Sequence, residues 1–477
     1  MRSLIPVLTC ATVLLTVATA AGNIIDVPVD EPTIAAGLGA ASAGDTVLVA
    51  CDTYYENDLE LPSGVTLMSE TGDTNCVTID GGRADVILTC DGITGAAVVG
   101  ITFTHGASET GGGVNCRNSS ARFESCLFVD NEATVAGAGI YWSVGTPEIH
   151  DCTFRANDAV NGGGAMAIYE TDGSVTGCWF ESNEADWGGG VFANKPLTNT
   201  VFTGCEFRWN DAVGMTQGGG GVWSGDMAAL TLTECRFDQN EGAYGGAAYS
   251  SATSAPTFVD CEFNDNSSTY HGGAFHGYND GTGFDGCEFT FNHADGGGAG
   301  ALSFNRSNAV ITGCTFYRND ANWGGAIGAN GSATLDFASC TLIGNEVPRY
   351  SGGAGLYIYD GAAATIHGTI IAFNTGGEAI KCDTEGSATL TCSDVFGNDG
   401  GDWVDCVAGQ EASDGNLNVD PLFCSTGEYI LALCADSECL PALNDCGELI
   451  GAWPEGCPEC GQPVESVSWG VIKGMYR

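Results

Sequence analysis

Acidic residues recur at one fixed place along the chain, directly after an asparagine. Five of them follow one another at nearly constant intervals: Glu132, Asp158, Glu184, Asp211 and Glu241. Carboxylate oxygens are ligands that Ca²⁺ prefers, so a fold that stacks these positions would form a calcium-binding column. The alternative is a solvated edge without metal. The pattern makes calcium the candidate cofactor, although the fold itself requires none.

Aromatic residues form a second recurrent set, placed just before the glycine-rich blocks. They are Trp187, Tyr244, Tyr270, Trp323 and Tyr350. Because glycine-rich blocks favour turns, we expect some of these rings to be exposed. Exposed rings can stack on sugar rings, which makes this set a candidate glycan-binding surface. The alternative is that the rings fold down over the glycines as local cover.

A repeat must position both sets. Nine cysteines fall at nearly regular intervals, at positions 126, 152, 178, 205, 235, 261, 287, 314 and 340. Each is followed by x-F-x-x-N, except that Leu342 replaces the last phenylalanine. A fixed period of this length indicates a solenoid. Each unit offers three short strand-like pieces and no helical periodicity, which predicts an all-β, single-stranded parallel β-helix of about a dozen coils.

The spacing also predicts which residues face the interior. Cys178 and Phe180 share parity on one strand and should point inward, with their equivalents stacked about 4.8 Å above and below. Asn183 should occupy the corner in a left-handed conformation, where its amide can donate to one neighbouring coil and accept from the other.

The "GGAI" of Gly324–Ile327 and the repeated F-x-x-N segments resemble the repeats of the polymorphic outer-membrane proteins. More broadly they resemble the right-handed parallel β-helix family, which includes pectate lyases, over roughly residues 25–400. The resemblance implies a right-handed coil, in a family that also includes many surface proteins, and it is specific for fold but weak for function. The family's lyases use a basic residue and calcium on acidic polysaccharides, a role that Arg155 beside Asp158 could imitate. This chain lacks the R-x-P-x-x-R and W-I-D-H motifs associated with pectate lyases.

The chain contains 23 cysteines, in two populations. The nine regularly spaced ones cannot all pair, and in-register neighbours have poor disulfide geometry, so we expect buried thiols. The irregular ones after residue 381 predict a disulfide-stapled cap, with a zinc site through Cys457 and Cys460 as the alternative. Cys51 and Cys76 could also pair.

Charge and the N-terminal segment bear on location and partners. Lysine plus arginine number 14 against 60 acids, for a formal charge of −46. Such a surface is repelled by phosphate backbones, which argues against nucleic acid as a partner. Residues 1–20 have the charge, apolar run and small residues of a secretory signal, and no other segment is apolar enough to cross a membrane.

These observations predict the following organisation: a signal peptide at 1–20, a β-helix at 21–400 with strict repeats at about 90–375, a Cys-rich cap at 401–460 and a tail at 461–477. A short helix after Thr33 should cap the first coil. We expect an exported monomer, extracellular or at the cell surface and outer membrane, that acts as a structural, adhesive or glycan-binding module on extracellular polysaccharide or another surface component. A calcium-dependent polysaccharide lyase is the alternative, so the sequence leaves open whether the chain is an enzyme.

Overall fold

A computed structural model describes residues 22–348, 352–411, 413–424 and 431–457. These residues form a right-handed parallel β-helix of about 16 turns. The all-β prediction is confirmed, but the prediction of a dozen coils is too low. The coils before Cys126 and after Cys340 stack like the others without the cysteine repeat, so the spacing did not reveal them.

Four strands make up each regular coil, rather than the three predicted. In one coil they are Met166–Thr171, Ser174–Thr176, Trp179–Glu181 and Glu184–Trp187. We call these positions the first, second, third and fourth face. The fourth strand lies where the sequence predicted only a turn, because its few residues pair in parallel with the coils above and below. The recurrent acids therefore lie on a strand.

The first and second faces belong to one sheet within the described chain. First-face strands are Leu59–Glu60, Leu88–Asp91, Val114–Glu124, Ile140–Gly145, Met166–Thr171, Val191–Asn194, Val222–Ser224, Ala248–Ser251, Phe275–Tyr278, Leu302–Asn305, Ile327–Asn330, Gly353–Ile358 and Glu378–Cys382. The strand Val114–Glu124 continues into the second face. The other second-face strands are Ile24–Val27, Thr46–Val49, Thr66–Ser69, Thr94–Val99, Glu148–His150, Ser174–Thr176, Val201–Thr203, Thr231–Thr233, Thr257–Val259, Gly281–Asp285, Asn308–Thr312, Thr334–Ala338, Ala363–His367 and Ser387–Thr391.

The third and fourth faces are separate sheets. Third-face strands are Asp52–Tyr54, Val77–Asp80, Ile101–Thr104, Leu127–Val129, Thr153–Arg155, Trp179–Glu181, Glu206–Arg208, Arg236–Asp238, Glu262–Asn264, Glu288–Thr290, Thr315–Tyr317, Thr341–Ile343, Ile370–Ala372 and Asp394–Phe396. Fourth-face strands are Ala107–Thr110, Glu132–Ala136, Asp158–Gly162, Glu184–Trp187, Asp211–Ala212, Glu241–Tyr244, Ser267–His271, His293–Ala294 and Asp320–Ala321.

Phenylalanines of the third face stack through the centre of the coil. From Phe103 to Phe316, successive rings lie 4.6–5.2 Å apart between centroids and within 10° of parallel. The in-register pairing of the strands sets this spacing. The inward phenylalanines are confirmed, and they form the axis of the hydrophobic core.

Asparagines form a buried ladder at the corner between the third and fourth faces. Each amide Nδ2 donates to Oδ1 of the next asparagine, as Asn183 does to Asn210 at 2.9 Å, and also to a backbone carbonyl of the preceding coil. The ladder extends past the predicted Asn345 to Asn374 and Asn398. The predicted left-handed conformation is wrong by one residue: positive φ occurs at the preceding position, such as Ser182 or Trp209. The asparagine itself stays outside that region, so its backbone N–H can also donate to the next rung.

The nine regularly spaced cysteines are buried free thiols, as predicted. Their side chains face the interior beside the phenylalanine stack, and burial raises the pKa of the Cys152 thiol. Cys90 and Cys116 are also buried free thiols, paired in register on the first face. These thiols pack as small apolar groups.

Alkylation of the denatured protein without reductant should distinguish free thiols, which include Cys434 and Cys439 near the C-terminal end, from the cysteines of the disulfides. Cys126 and the other regularly spaced cysteines should be labelled at once, because denaturation exposes free thiols. The cysteines of the disulfides should be labelled only after reduction. Peptide mapping by mass spectrometry provides the measurement. A disulfide between any two of the regularly spaced cysteines would contradict the stacked-thiol arrangement.

Both ends of the coil are covered. The helix Ile34–Ala40 begins at Thr33, whose side-chain oxygen accepts from the Ala36 N–H, and it buries Ile34 and Leu38. A disulfide joins Cys51 to Cys76 in the first coils. At the other end, disulfides join Cys382 to Cys406, Cys392 to Cys446 and Cys424 to Cys457. A 3₁₀ turn at Asp405–Val407 and the short strands Leu433–Cys434 and Glu455–Cys457 complete that end.

The disulfide at Cys457 agrees with the predicted stapled cap and not with a zinc site there. Cys460 lies outside the described residues, as do the predicted signal peptide and tail. Nowhere in the described parts of the chain does a helix combine the length and apolar character that a membrane crossing requires.

Candidate functional site

The predicted acid column lies on the fourth face. Glu132, Asp158, Glu184, Asp211 and Glu241 are aligned in register on successive strands. All are exposed except Asp211, which is half-buried. Burial, and next the negative charges of Glu241 and Glu184, raise the pKa of Asp211 to about 6. The column therefore concentrates negative charge, and its oxygens are of the type that binds hard cations.

Further along the fourth face, a histidine replaces the acid at the position of the acid column. His293 lies between Ser267 and Asp320 in register. Its Nδ1 lies 2.6 Å from Asp320 Oδ2 and its Nε2 lies 3.0 Å from Asp295 Oδ1. These carboxylates, Asp320 first, raise the pKa of His293 to about 9, so the imidazole is a cation at neutral pH and offsets the acids beside it.

A second row, of aromatic rings, follows the outer side of the first face. Ring centroids are 4.5–6.4 Å apart along this aromatic row. Its members are Tyr141, Tyr169, Phe192, Trp223, Tyr249 and His276. The middle rings are buried although they point away from the coil interior, because they cover one another and are covered by residues of the fourth face.

The predicted aromatic set divides between cover and exposed rim. Trp187 is half-buried, with its ring 6.2 Å from those of Phe192 and Trp223. Tyr244 is half-buried against Tyr270 and His276. Tyr270 and Trp323 are 38% and 41% exposed. Tyr350 lies outside the described residues. Trp187 and Tyr244 therefore pack as local cover, while Tyr270 and Trp323 are partly exposed.

The aromatic row is interrupted by small residues. After Tyr249 and His276, the next positions in register are Ser303 and Gly328, and the row resumes at Tyr357. The missing rings leave a cavity of about 270 Å³. We call it the first-face cavity. Its size suits a small ligand rather than a long groove.

Neutral polar and aromatic side chains line the first-face cavity. Those described are Thr216, Gln217, Tyr244, Tyr249, His271, His276, Tyr278, Ser303, Asn305 and Asn330. Desolvation lowers the pKa of His271, while desolvation and then His271 lower that of His276 to about 3. Both imidazoles are therefore neutral, and none of these lining side chains carries a charge at neutral pH.

Two lining side chains have buried polar atoms without a protein partner. They are His276 Nδ1 and Asn330 Oδ1. His276 is only 5% exposed. Because most buried polar atoms in proteins are hydrogen-bonded, such a pair in one cavity marks a place where a ligand could bond.

A short insertion forms one wall of the first-face cavity. The Asp211–Val222 segment is longer than the equivalent Glu184–Val191 segment of the preceding coil. The extra length carries Thr216 and Gln217 into the first-face cavity.

The same insertion also shapes a second cavity, of about 490 Å³, which Gly214 and Met215 line together with Asp211, Glu241 and Tyr270. The sequence interpretation missed both cavities. The interval between Cys205 and Cys235, which is the longest in the cysteine repeat, is the signal that could have found them.

Three arginines lie beside the recurrent acids in the sequence, Arg155, Arg208 and Arg318, and none of them lines either of these two cavities. Arg155 is on the third face and lines a different cavity with Asp73 and Asp151. Arg155 and Asp158 are on opposite sides of the Asn157 corner. Arg208 pairs with Asp238 at 3.1 Å, and the Arg318 guanidinium lies 5.0 Å from the Tyr317 ring centroid.

Comparison with known families decides the membership. The family model described as "right handed beta helix region" matches residues 161–296 and 252–413, which together run from 161 to 413 and cover more than half of the chain. The chain belongs to the right-handed β-helix family.

Two solved structures are similar to this β-helix protein. One is described as the crystal structure of pectate lyase Pel9A; it is 10% identical, covers 89% of this chain and 91% of its own, and has a TM-score of 0.26. No curated protein matches the sequence.

Substituting Asp211 by asparagine should stabilise the β-helix at neutral pH. A folded-state pKa of about 6, against 3.8 for an ordinary aspartate, means that the protonated form is favoured by folding. Its stabilising contribution is full below pH 3.8 and is lost as the pH rises through 6. The shift corresponds to about 3 kcal/mol for a fully buried group, and solvent screening at this half-exposed site reduces it to about 1–2 kcal/mol.

Urea denaturation of wild type and Asp211→Asn at pH 4 and pH 8 measures this effect. The variant should gain stability at pH 8 and little at pH 4. The exposed Asp172→Asn is the matched control and should change nothing at either pH. Equal behaviour of the two variants would show that the column does not destabilise the fold.

Proposed function

We propose that this protein is an exported glycan-binding protein that holds a saccharide in the first-face cavity. The observation that carries the proposal is the interruption of the aromatic row at Ser303 and Gly328, beside two lining side chains that have unpartnered polar atoms. Aromatic faces pack against the C–H groups of sugar rings, and neutral hydroxyl, amide and imidazole groups bond sugar hydroxyls. The cavity combines both kinds of group.

Exposed aromatic side chains near the cavity support binding of more than one sugar ring. Tyr278 is 39% exposed and lines the cavity. The exposed Trp323 ring lies 6.2 Å from the Tyr359 ring, and the Tyr359 hydroxyl bonds the Asn330 amide. A chain of sugars that enters the cavity could therefore rest on these rings.

An oxidising environment outside the cytoplasm is consistent with this proposal. Four disulfides among the described residues staple the two ends of the coil, and disulfides persist mainly in exported proteins. We propose extracellular polysaccharide or a glycan of the cell surface as the partner of a monomeric protein.

Affinity electrophoresis through gels that contain polysaccharides tests the proposal. The purified protein should be retarded by at least one polysaccharide, and Tyr278→Ala and Trp323→Ala should each reduce the retardation several-fold. Trp179→Ala is the matched control, since Trp179 is 48% exposed on the third face. Absence of retardation on all polysaccharides, or equal losses in all three variants, would overturn the proposal. Unsaturated product detected at ultraviolet wavelengths would favour the lyase instead.

A further inference from the structure

We infer that the first-face cavity selects an uncharged saccharide, and that His276 and Asn330 determine this selectivity. The inference rests on the proposed glycan-binding function and adds the chemical class of the ligand. Three features of the cavity carry it: the two unpartnered atoms, the absence of counter-charges among the described lining residues, and the small side chains that create the space.

The free amide oxygen of Asn330 can accept a hydrogen bond from a ligand. The Asn330 amide nitrogen donates to the Tyr359 hydroxyl, which leaves Oδ1 as the buried, unpartnered acceptor. A sugar hydroxyl can donate to this oxygen, whereas an ionised carboxylate only accepts hydrogen bonds. A uronate carboxylate at this position would face an acceptor and would be repelled.

His276 can bond either a donor or an acceptor. A neutral imidazole has one nitrogen that donates and one that accepts. The ring stacks 5.6 Å from Tyr249 between centroids, so its orientation is fixed by packing. The unpartnered Nδ1 therefore offers a single, directed hydrogen bond, which a hydroxyl can meet as donor or as acceptor.

The described lining of the cavity offers no compensation for a charged ligand. Its described lining contains no lysine, arginine, aspartate or glutamate, and the low pKa of His276 keeps that imidazole neutral across the physiological range. Removing a charge from water without a partner is strongly unfavourable. An acidic sugar would therefore lose its hydration in the cavity and gain no ion pair.

The available space depends on Ser303. This residue follows His276 in register, in a row where the preceding positions carry rings. A tyrosine at 303 would extend the aromatic row and fill the gap that Ser303 leaves. Ser303→Tyr therefore removes the cavity while it continues a packing pattern already present in the fold.

Isothermal titration calorimetry with paired oligosaccharides tests the inference. Cello-, laminari- and galacto-oligosaccharides are the neutral probes, and oligogalacturonate and oligoglucuronate are the acidic ones. At least one neutral probe should bind the purified protein and the acidic probes should not. His276→Phe, which keeps the ring, and Ser303→Tyr should each weaken neutral binding at least ten-fold. His150→Phe, on the second face, is the matched control and should leave binding unchanged.

The outcomes separate the inference from the proposed function. Binding of an acidic probe that His276→Phe weakens would leave glycan binding in place and overturn the selectivity. Neutral binding that neither cavity variant weakens would also overturn the inference, since the ligand would lie elsewhere. Failure of every oligosaccharide and polysaccharide to bind would overturn the proposed function itself. Thermal melts of each variant show whether it folds. If His276→Phe does not fold, the binding data for Ser303→Tyr alone test the inference.

Discussion

Replacing Asn210 by alanine should lower the free energy of unfolding by about 3–5 kcal/mol, because several buried groups lose their partners at once. Asn210 Oδ1 accepts from the backbone and side-chain nitrogens of Asn183, at 3.1 and 2.9 Å. Its amide nitrogen donates to Asn240 Oδ1 at 3.0 Å and to the Phe180 carbonyl at 2.8 Å. Asn210 is completely buried, so water cannot replace these bonds.

Guanidinium denaturation gives the overall loss, and hydrogen exchange locates it. The backbone amide of Asn183 should exchange faster in the variant, because its N–H donates to the removed Asn210 oxygen. Long repeat arrays can unfold in more than one step, so the local measurement is the stricter one. The exposed Asn199→Ala is the control and should stay within about 0.5 kcal/mol of wild type. Unchanged exchange at Asn183 would contradict the ladder.

Replacing Phe207 by alanine should cost about 3–5 kcal/mol, as expected when a fully buried aromatic side chain is truncated. Its ring lies 4.6 Å from Phe180 and 4.7 Å from Phe237 between centroids, nearly parallel to both. The rigid strands on either side fix this spacing and prevent the neighbouring rings from closing the gap. A cavity therefore remains in the centre of the coil.

Phe207→Leu should cost only about 1–1.5 kcal/mol, since Leu342 already occupies the equivalent position in another coil. Equilibrium denaturation of both variants measures the difference. Tyr55→Ala is the exposed control, because Tyr55 is 78% exposed, and it should change little. If leucine and alanine destabilise the fold equally, ring stacking rather than the volume of the side chain stabilises the phenylalanine stack.

The features that the sequence could predict are those repeated in every coil. Cys178, Phe180 and Asn183 recur at the same offsets, so a period and strand parity are enough to place them inside. The residue with left-handed backbone conformation was predicted one position late, at Asn183 instead of Ser182. The sequence pattern shows that a corner exists but not which of its residues has positive φ. The fourth strand was missed because two residues such as Asp211 and Ala212 show no alternation by themselves; only pairing with neighbouring coils makes them a strand.

The first-face cavity could not be predicted, because it depends on register between coils of unequal length. Trp223, Tyr249, His276 and Ser303 follow one another at nearly the regular period, but Phe192 precedes Trp223 by a longer interval. The row becomes visible only when the structure aligns them. What creates the cavity is the absence of a ring at Ser303 and Gly328, and a small residue in a glycine-rich chain carries no signal of its own.

The asparagine ladder has a consequence for how such a chain can change in length. Every rung from Asn157 to Asn345 has the same kinds of partner. The two ends differ: Asn131 Oδ1 accepts from the Gly106 backbone N–H, and Asn398 donates to the Asp402 carboxylate at 2.8 Å. A duplicated or deleted coil within the regular part would therefore restore all hydrogen bonds of the ladder. The two end rungs and the coils around His276 differ from the rest, so whole-coil duplications or deletions elsewhere would produce longer or shorter descendants with the same first-face cavity.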